Sequence, residues 1–136
     1  MQYFVAKTDP ETYSLDDLAR ERKTVWDGVR NAQALRAIRA MRPGDVVFIY
    51  HSSGQSQVVG LARVAAEPRP DSKDAKLTVV ELEFVSRLDP PTSLAEIKDS
   101  GLFSDWSLVR QGRLSTMSAP TEFATWMRRR YPGMSL

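Results

Sequence analysis

The chain predicts an α+β domain: a strongly curved, mostly antiparallel sheet or small β-barrel of five or six strands, with short helices packed around it. Three observations carry this. Strand-like runs, clearest from Leu77 to Leu88, are interleaved with short capped helices without strict alternation. No glycine-rich turn joins a strand to a helix, which disfavours a doubly wound nucleotide fold. Finally, 136 residues free of internal repeats, low-complexity segments or linkers read as one domain, 1–136. Such a chain buries roughly two-thirds of its unfolded surface, enough for a core without staples.

Each element has a local reason. Met1 to Lys7 has strand composition and Thr8-Asp9-Pro10 stops it. Ser14 caps a short helix to about Arg22, with Asp16 and Asp17 complementing the dipole. Asn31 opens a second helix to about Met41, whose Ala34, Leu35, Ile38 and Met41 form the buried arc beside a basic edge of Arg36, Arg39 and Arg42. Arg42-Pro43-Gly44-Asp45 turns into a strand, Val46 to Tyr50. Val58 to Glu67 is the next strand, with Gly60 a bulge or close-approach point. From Leu77 to Leu88, Val80, Leu82, Phe84 and Leu88 take one face, and Asp89-Pro90-Pro91 breaks the strand. Ser93-Leu-Ala-Glu96 is a capping box for a helix ending at Ser100-Gly101. One or two short strands are expected between Ser107 and Thr116, and Pro120 opens a last helix with Phe123, Trp126 and Met127 inward.

Composition removes several chemistries. Cysteine is absent, which excludes disulfides, thiolate metal sites and thiol nucleophiles. With one histidine, no metal site is expected, nor any cofactor. No apolar run reaches membrane-span length, so a soluble, cytoplasmic protein is expected, monomeric by default. The net charge of +2 and pI near 9.1 permit a nucleic-acid partner without demanding one.

The most informative stretch is Lys23 to His51. Trp26-Asp27-Gly28-Val29-Arg30-Asn31 sets a large flat ring beside a turn and a guanidinium, and the following helix and strand end on Tyr50-His51-Ser52. Two polar-aromatic clusters at the ends of one loop–helix–turn–strand unit are the makings of a small binding pocket. These motifs, with Phe4-Val-Ala-Lys7-Thr-Asp-Pro10, Tyr13-Ser14-Leu-Asp-Asp-Leu18 and Met41-Arg-Pro-Gly-Asp45, resemble in order and spacing the EVE domain family, a PUA-like group. The resemblance runs from Tyr3 to about Arg130 and implies a PUA-like bent β-barrel. Family members are similar to YTH domains and are implicated in recognising modified bases in DNA or RNA, so the resemblance implies a non-enzymatic reader rather than a catalyst. Carried over residue by residue, it implies a base pocket of Lys7, Trp26, Val29, Arg30, Asn31, Tyr50, His51 and Ser52, closed by Trp106 and Ser107.

The residues themselves support two readings each. Trp26 can stack a base, worth about 1–3 kcal/mol, or plug the space between loop and sheet. The first reading expects Trp26→Ala to abolish binding with stability nearly unchanged. Asn31 suits an N-cap, while the helix start it caps offers backbone N–H groups to a phosphate or base carbonyl. Arg30 can meet phosphate, stack on a base, or pair with Asp27. Arg36, Arg39 and Arg42 are phosphate-contact candidates or a solvated helix edge. His51 has no partners for a triad and reads as a hydrogen-bonding group at the pocket mouth, so no catalytic residue is assigned. The alternatives are an enzyme acting on a nucleobase with His51 as general base, and a pocket for a small metabolite or peptide. Extracting a base from a duplex costs a few kcal/mol, so single-stranded or flipped substrates are the expected partners.

Overall fold

Residues 1–134 are described by the computed structural model, in the order β1 (Tyr3–Thr8), α1 (Leu15–Glu21), β2 (Lys23–Trp26), α2 (Ala32–Ala40), β3 (Val46–His51), β4 (Gln57–Val64), β5 (Arg69–Pro70), β6 (Thr78–Ser93), α3 (Leu94–Asp99), α4 (Ser107–Arg110), β7 (Thr116–Ala119) and α5 (Thr121–Arg130). The sheet runs β2-β6-β4-β3-β1-β7, with β5 paired to β6 off that path. These are seven strands where five or six were expected, and the path is open, with β2 and β7 as its borders. The mixed α+β class holds. Pairing is antiparallel throughout except between β1 and β3, which run parallel with Lys7 opposite Tyr50 and Thr8 opposite His51. That one parallel pair brings the end of the first strand beside the end of the third.

Every residue of β3 is buried, as suits a central strand covered on both faces. On one side Phe123 of α5 meets Phe48 edge-on, with ring centroids 5.1 Å apart. Ala34, Leu35 and Ile38 of α2 bury the arc that the sequence spacing predicts. Gly60 is the close approach expected: a Cβ there would stand 2.6 Å from a Leu15 methyl and 2.9 Å from the Ser86 carbonyl oxygen. Its missing side chain lets α1 lie directly on the sheet.

Two expectations are corrected, and one unassigned stretch is filled in. β6 does not break at Asp89-Pro90-Pro91 but runs for 16 residues. Between the pairs Val58–Thr92 and Gly60–Arg87 the register shifts, and the prolines fall in that irregularity, where no ladder N–H is required. Ser107–Arg110 is a helical turn rather than a strand, its Leu108 buried and the Val109 and Arg110 amides donating to the Trp106 carbonyl. Lys23–Trp26 is a strand that the sequence reading left unassigned, because four residues are too few to show a period.

Candidate functional site

β2 ends at Trp26, and Gly28, at φ +79°, makes the left-handed turn that a side chain would resist. Val29 then drops into the core and anchors the loop, leaving Asp27 and Arg30 exposed on either side of it. Asn31 ends the loop as the N-cap of α2, its Oδ1 accepting the Ala34 amide at 3.0 Å. The capping expected of its side chain is therefore observed.

Trp26 is only 8 % exposed, yet it lines a hollow of about 690 Å³. Lys7, Val29 and Arg30 share that wall with it, and the loop after β1 supplies the other side through Thr8, Asp9, Thr12 and Tyr13. Tyr13 meets Trp26 edge-on, with centroids 5.9 Å apart and planes at 85°. This pair makes a rigid aromatic corner. The Tyr13 hydroxyl donates to Glu21, and burial first, then that carboxylate, pushes the phenol up to about 12. Lys7 crosses the floor: its Nζ lies 5.3 Å from the Tyr50 ring centroid and donates to the Gly112 carbonyl at 3.1 Å. Burial lowers the Lys7 ammonium below the ordinary lysine value.

The other sequence-predicted residues stand behind this wall or away from it. Tyr50 is buried beneath Lys7, and its hydroxyl, shared with Ser56, titrates higher than usual because of burial. His51 is 8 % exposed, with both ring nitrogens engaged: Nε2 accepts the Leu15 amide at 3.0 Å and Nδ1 faces Gln55 Oε1 at 2.9 Å. A nitrogen that accepts from an amide carries no proton, so the ring is the Nδ1–H tautomer. Ser52 ties the end of β3 to Thr8 through its amide and its hydroxyl, at 3.0 and 3.2 Å. These three hold the hollow's walls in place without lining it. Trp106 belongs elsewhere. Its ring packs on Phe103 and Phe123, its Nε1–H donates to the Ser118 carbonyl at 2.8 Å, and it borders a second hollow of about 420 Å³. Ser107, the first residue of α4, lines neither hollow. Arg36 and Arg39 lie on the exposed side of α2 and Arg42 just past its end.

Sequence reasoning missed Tyr13, Thr8, Asp9, Thr12 and Ser115 as wall residues. The Thr8–Tyr13 loop follows β1 and faces the Trp26 loop across the hollow, a meeting that only the folded chain reveals.

A profile of the EVE domain matches residues 2–129. The chain belongs to the EVE domain family. It is 34% identical to thymocyte nuclear protein 1 of Rattus norvegicus and 32% identical to that of Homo sapiens, in each case over 71% of this chain and 55% of the relative. The chain thus spans about half the length of the curated relatives it matches. Among solved structures, a protein of Agrobacterium tumefaciens superposes with a TM-score of 0.90 at 33% identity, covering 100% of this chain and 99% of that one. A protein of Rhodopseudomonas palustris gives 0.91 at 29% identity, covering 100% and 97%. The human THYN1 protein, solved in complex with DNA containing 5-methylcytosine, shares the fold with a TM-score of 0.87 at 23% identity, over 99% and 100% of the two chains.

Proposed function

We propose that this EVE domain is a non-enzymatic reader that takes a modified nucleobase, methylated or hydroxymethylated, into the Trp26 hollow from single-stranded or flipped nucleic acid. The observation that carries this reading is the Trp26–Tyr13 corner opening onto about 690 Å³ of space with Arg30 and Lys7 on the same wall. That volume lies within the range of small-ligand pockets. The aromatic corner suits the π face of a base, and the two cations suit the flanking phosphates. Asn31 contributes as the cap that presents the first amides of α2, and Tyr50, His51 and Ser52 as the frame. The human relative solved with 5-methylcytosine DNA agrees in the class of ligand. Binding rather than turnover is supported by His51, whose two nitrogens are both committed to intramolecular partners.

The test is fluorescence anisotropy with a panel of single-stranded DNA and RNA oligonucleotides, plain or carrying one modified base. Arg30→Ala, an exposed change, is expected to weaken binding at least several-fold with the melting temperature unchanged. Trp26→Phe is expected to reduce the preference for the modified base while retaining a folded protein. Equal affinity of the wild type for plain and modified strands overturns the reading. Binding of a metabolite with no salt dependence would replace it.

A further inference from the structure

Another cleft, of about 400 Å³, opens where the end of α2 faces the segment leading into β6. Arg39 and Arg42 stand on the helix side, Arg69 on the other, with Glu67 the carboxylate among them. Two of these arginines are oriented by the fold. Arg39 donates from Nε to the Thr78 hydroxyl at 2.9 Å and from Nη2 to the Lys76 carbonyl at 3.2 Å. A guanidinium has five N–H groups, so the remaining edge of its fork is aimed by these bonds and left for another acceptor. Thr78 is itself buried, which makes it a fixed post. Arg69 sits between Pro68 and Pro70 and pairs with Val79, so its backbone is stiff on both sides. Arg42 donates to the Arg39 and Met41 carbonyls at 2.8 and 2.6 Å, and its contact with Glu67, at 3.9 Å between exposed groups, is weak.

A solvated helix edge explains Arg36 and Arg39 alone. It does not explain an arginine brought across from β5 and braced by prolines. The cleft is also a measurable distance from the Trp26 hollow. Along α2, Asn31 to Arg39 is about 12 Å at 1.5 Å per residue. Along β6, Val80, which pairs with Trp26, is two residues from Thr78, or about 7 Å. Exposed Arg36 stands between, one turn before Arg39.

Resting on the reader assignment, we propose that this cleft is a phosphate subsite for the same strand: the backbone leaves the hollow past Arg36 and seats a phosphate between Arg39 and Arg69. Stacked nucleotides advance about 3.4 Å, so the seated phosphate lies roughly two to four nucleotides from the read base. The subsite carries affinity and strand placement; it carries no preference for the modified base.

The experiment measures affinity against salt concentration for an unmodified single-stranded DNA 12-mer and the same strand with one central 5-methylcytosine. Arg36→Ala and Arg69→Ala, neither of which removes an intramolecular bond described above, are compared with Lys98→Ala on α3, which follows the opposite end of β6. Each arginine variant is expected to flatten the slope of log K against log salt by about 0.7 and to lose roughly five-fold in affinity at 0.1 M salt. The ratio between modified and plain strands stays as in the wild type. If both arginine variants behave like Lys98→Ala, the subsite is overturned. If they flatten the slope while the wild type shows no preference for the methylated strand, the subsite stands and the reader assignment falls.

Discussion

The backbone amide of Leu15 donates to Nε2 of His51 at 3.0 Å, across 36 residues of sequence. The first amides of a helix have no partner within it, and here a side chain from the end of β3 satisfies one of them. The ring thus fastens α1 to β3, whose Tyr50 ring lies beneath the Lys7 ammonium of β1. His51→Ala leaves that buried amide unpaired and is expected to destabilise the protein by about 1–3 kcal/mol. Urea denaturation measures this. A variant as stable as the wild type but unable to bind would return His51 to the ligand.

Gly60 fixes the other side of the same helix. Gly60→Ala places a methyl against Leu15 and, less forgivingly, against the Ser86 carbonyl of the paired strand. Overpacking of this kind costs about 1–3 kcal/mol. The expected result is a lowered Tm, and a shift of α1 seen in backbone chemical shifts.

Trp26 is both wall and core. The sequence reading expected Trp26→Ala to spare stability, but an indole this buried, packed edge-on against Tyr13, leaves a cavity when truncated. The expected loss is about 3–5 kcal/mol, measurable by denaturation. The phenylalanine variant is therefore the one to use in binding assays.

Lys7 gives binding an alkaline limit. Burial lowers its ammonium in the free protein, whereas a nearby phosphate favours the charged form, so binding the strand takes up a proton where the free amine has lost it. Affinity is expected to be flat at neutral pH and to decline as pH rises through the lowered value, below the 10.5 of an ordinary lysine. In Lys7→Met this decline should vanish, as titrations by anisotropy at several pH values would show.

Acid acts on the helix caps. Asp17 is held low by the Ser14 amide and then by Arg20, and Glu96 by the Ser93 amide and then by Arg130. Both native values lie below the unfolded ones, near 3.8 and 4.5. Their contribution is fully present above those values and is lost as pH falls through the lower native ones. Glu96→Gln is expected to flatten the acid limb of Tm against pH.

What the sequence made legible was local. Ser14, Asn31 and Ser93 cap their helices as read, because capping depends on residues within one turn. The period-two signal of β6 was plain, but its passage beyond Pro90-Pro91 depends on β4 tolerating a register shift, which no local pattern records. The site was half visible for the same reason. Trp26, Val29 and Arg30 declare themselves within six residues, whereas Tyr13 comes from the loop between β1 and α1 and meets Trp26 only in the folded chain. Trp106 has the right residue type, but its ring serves the Phe103–Phe123 cluster.

β2, four residues long, is attached to the sheet through β6 alone and carries Trp26 at its end. A border so lightly secured opens locally far more often than the centre does. A guest pressed against the indole would pin that border shut, because whatever binds the closed form alone slows its opening. Occupancy should therefore be written in the hydrogen-exchange rates of Lys23 to Trp26, a record of binding that requires no label on the guest.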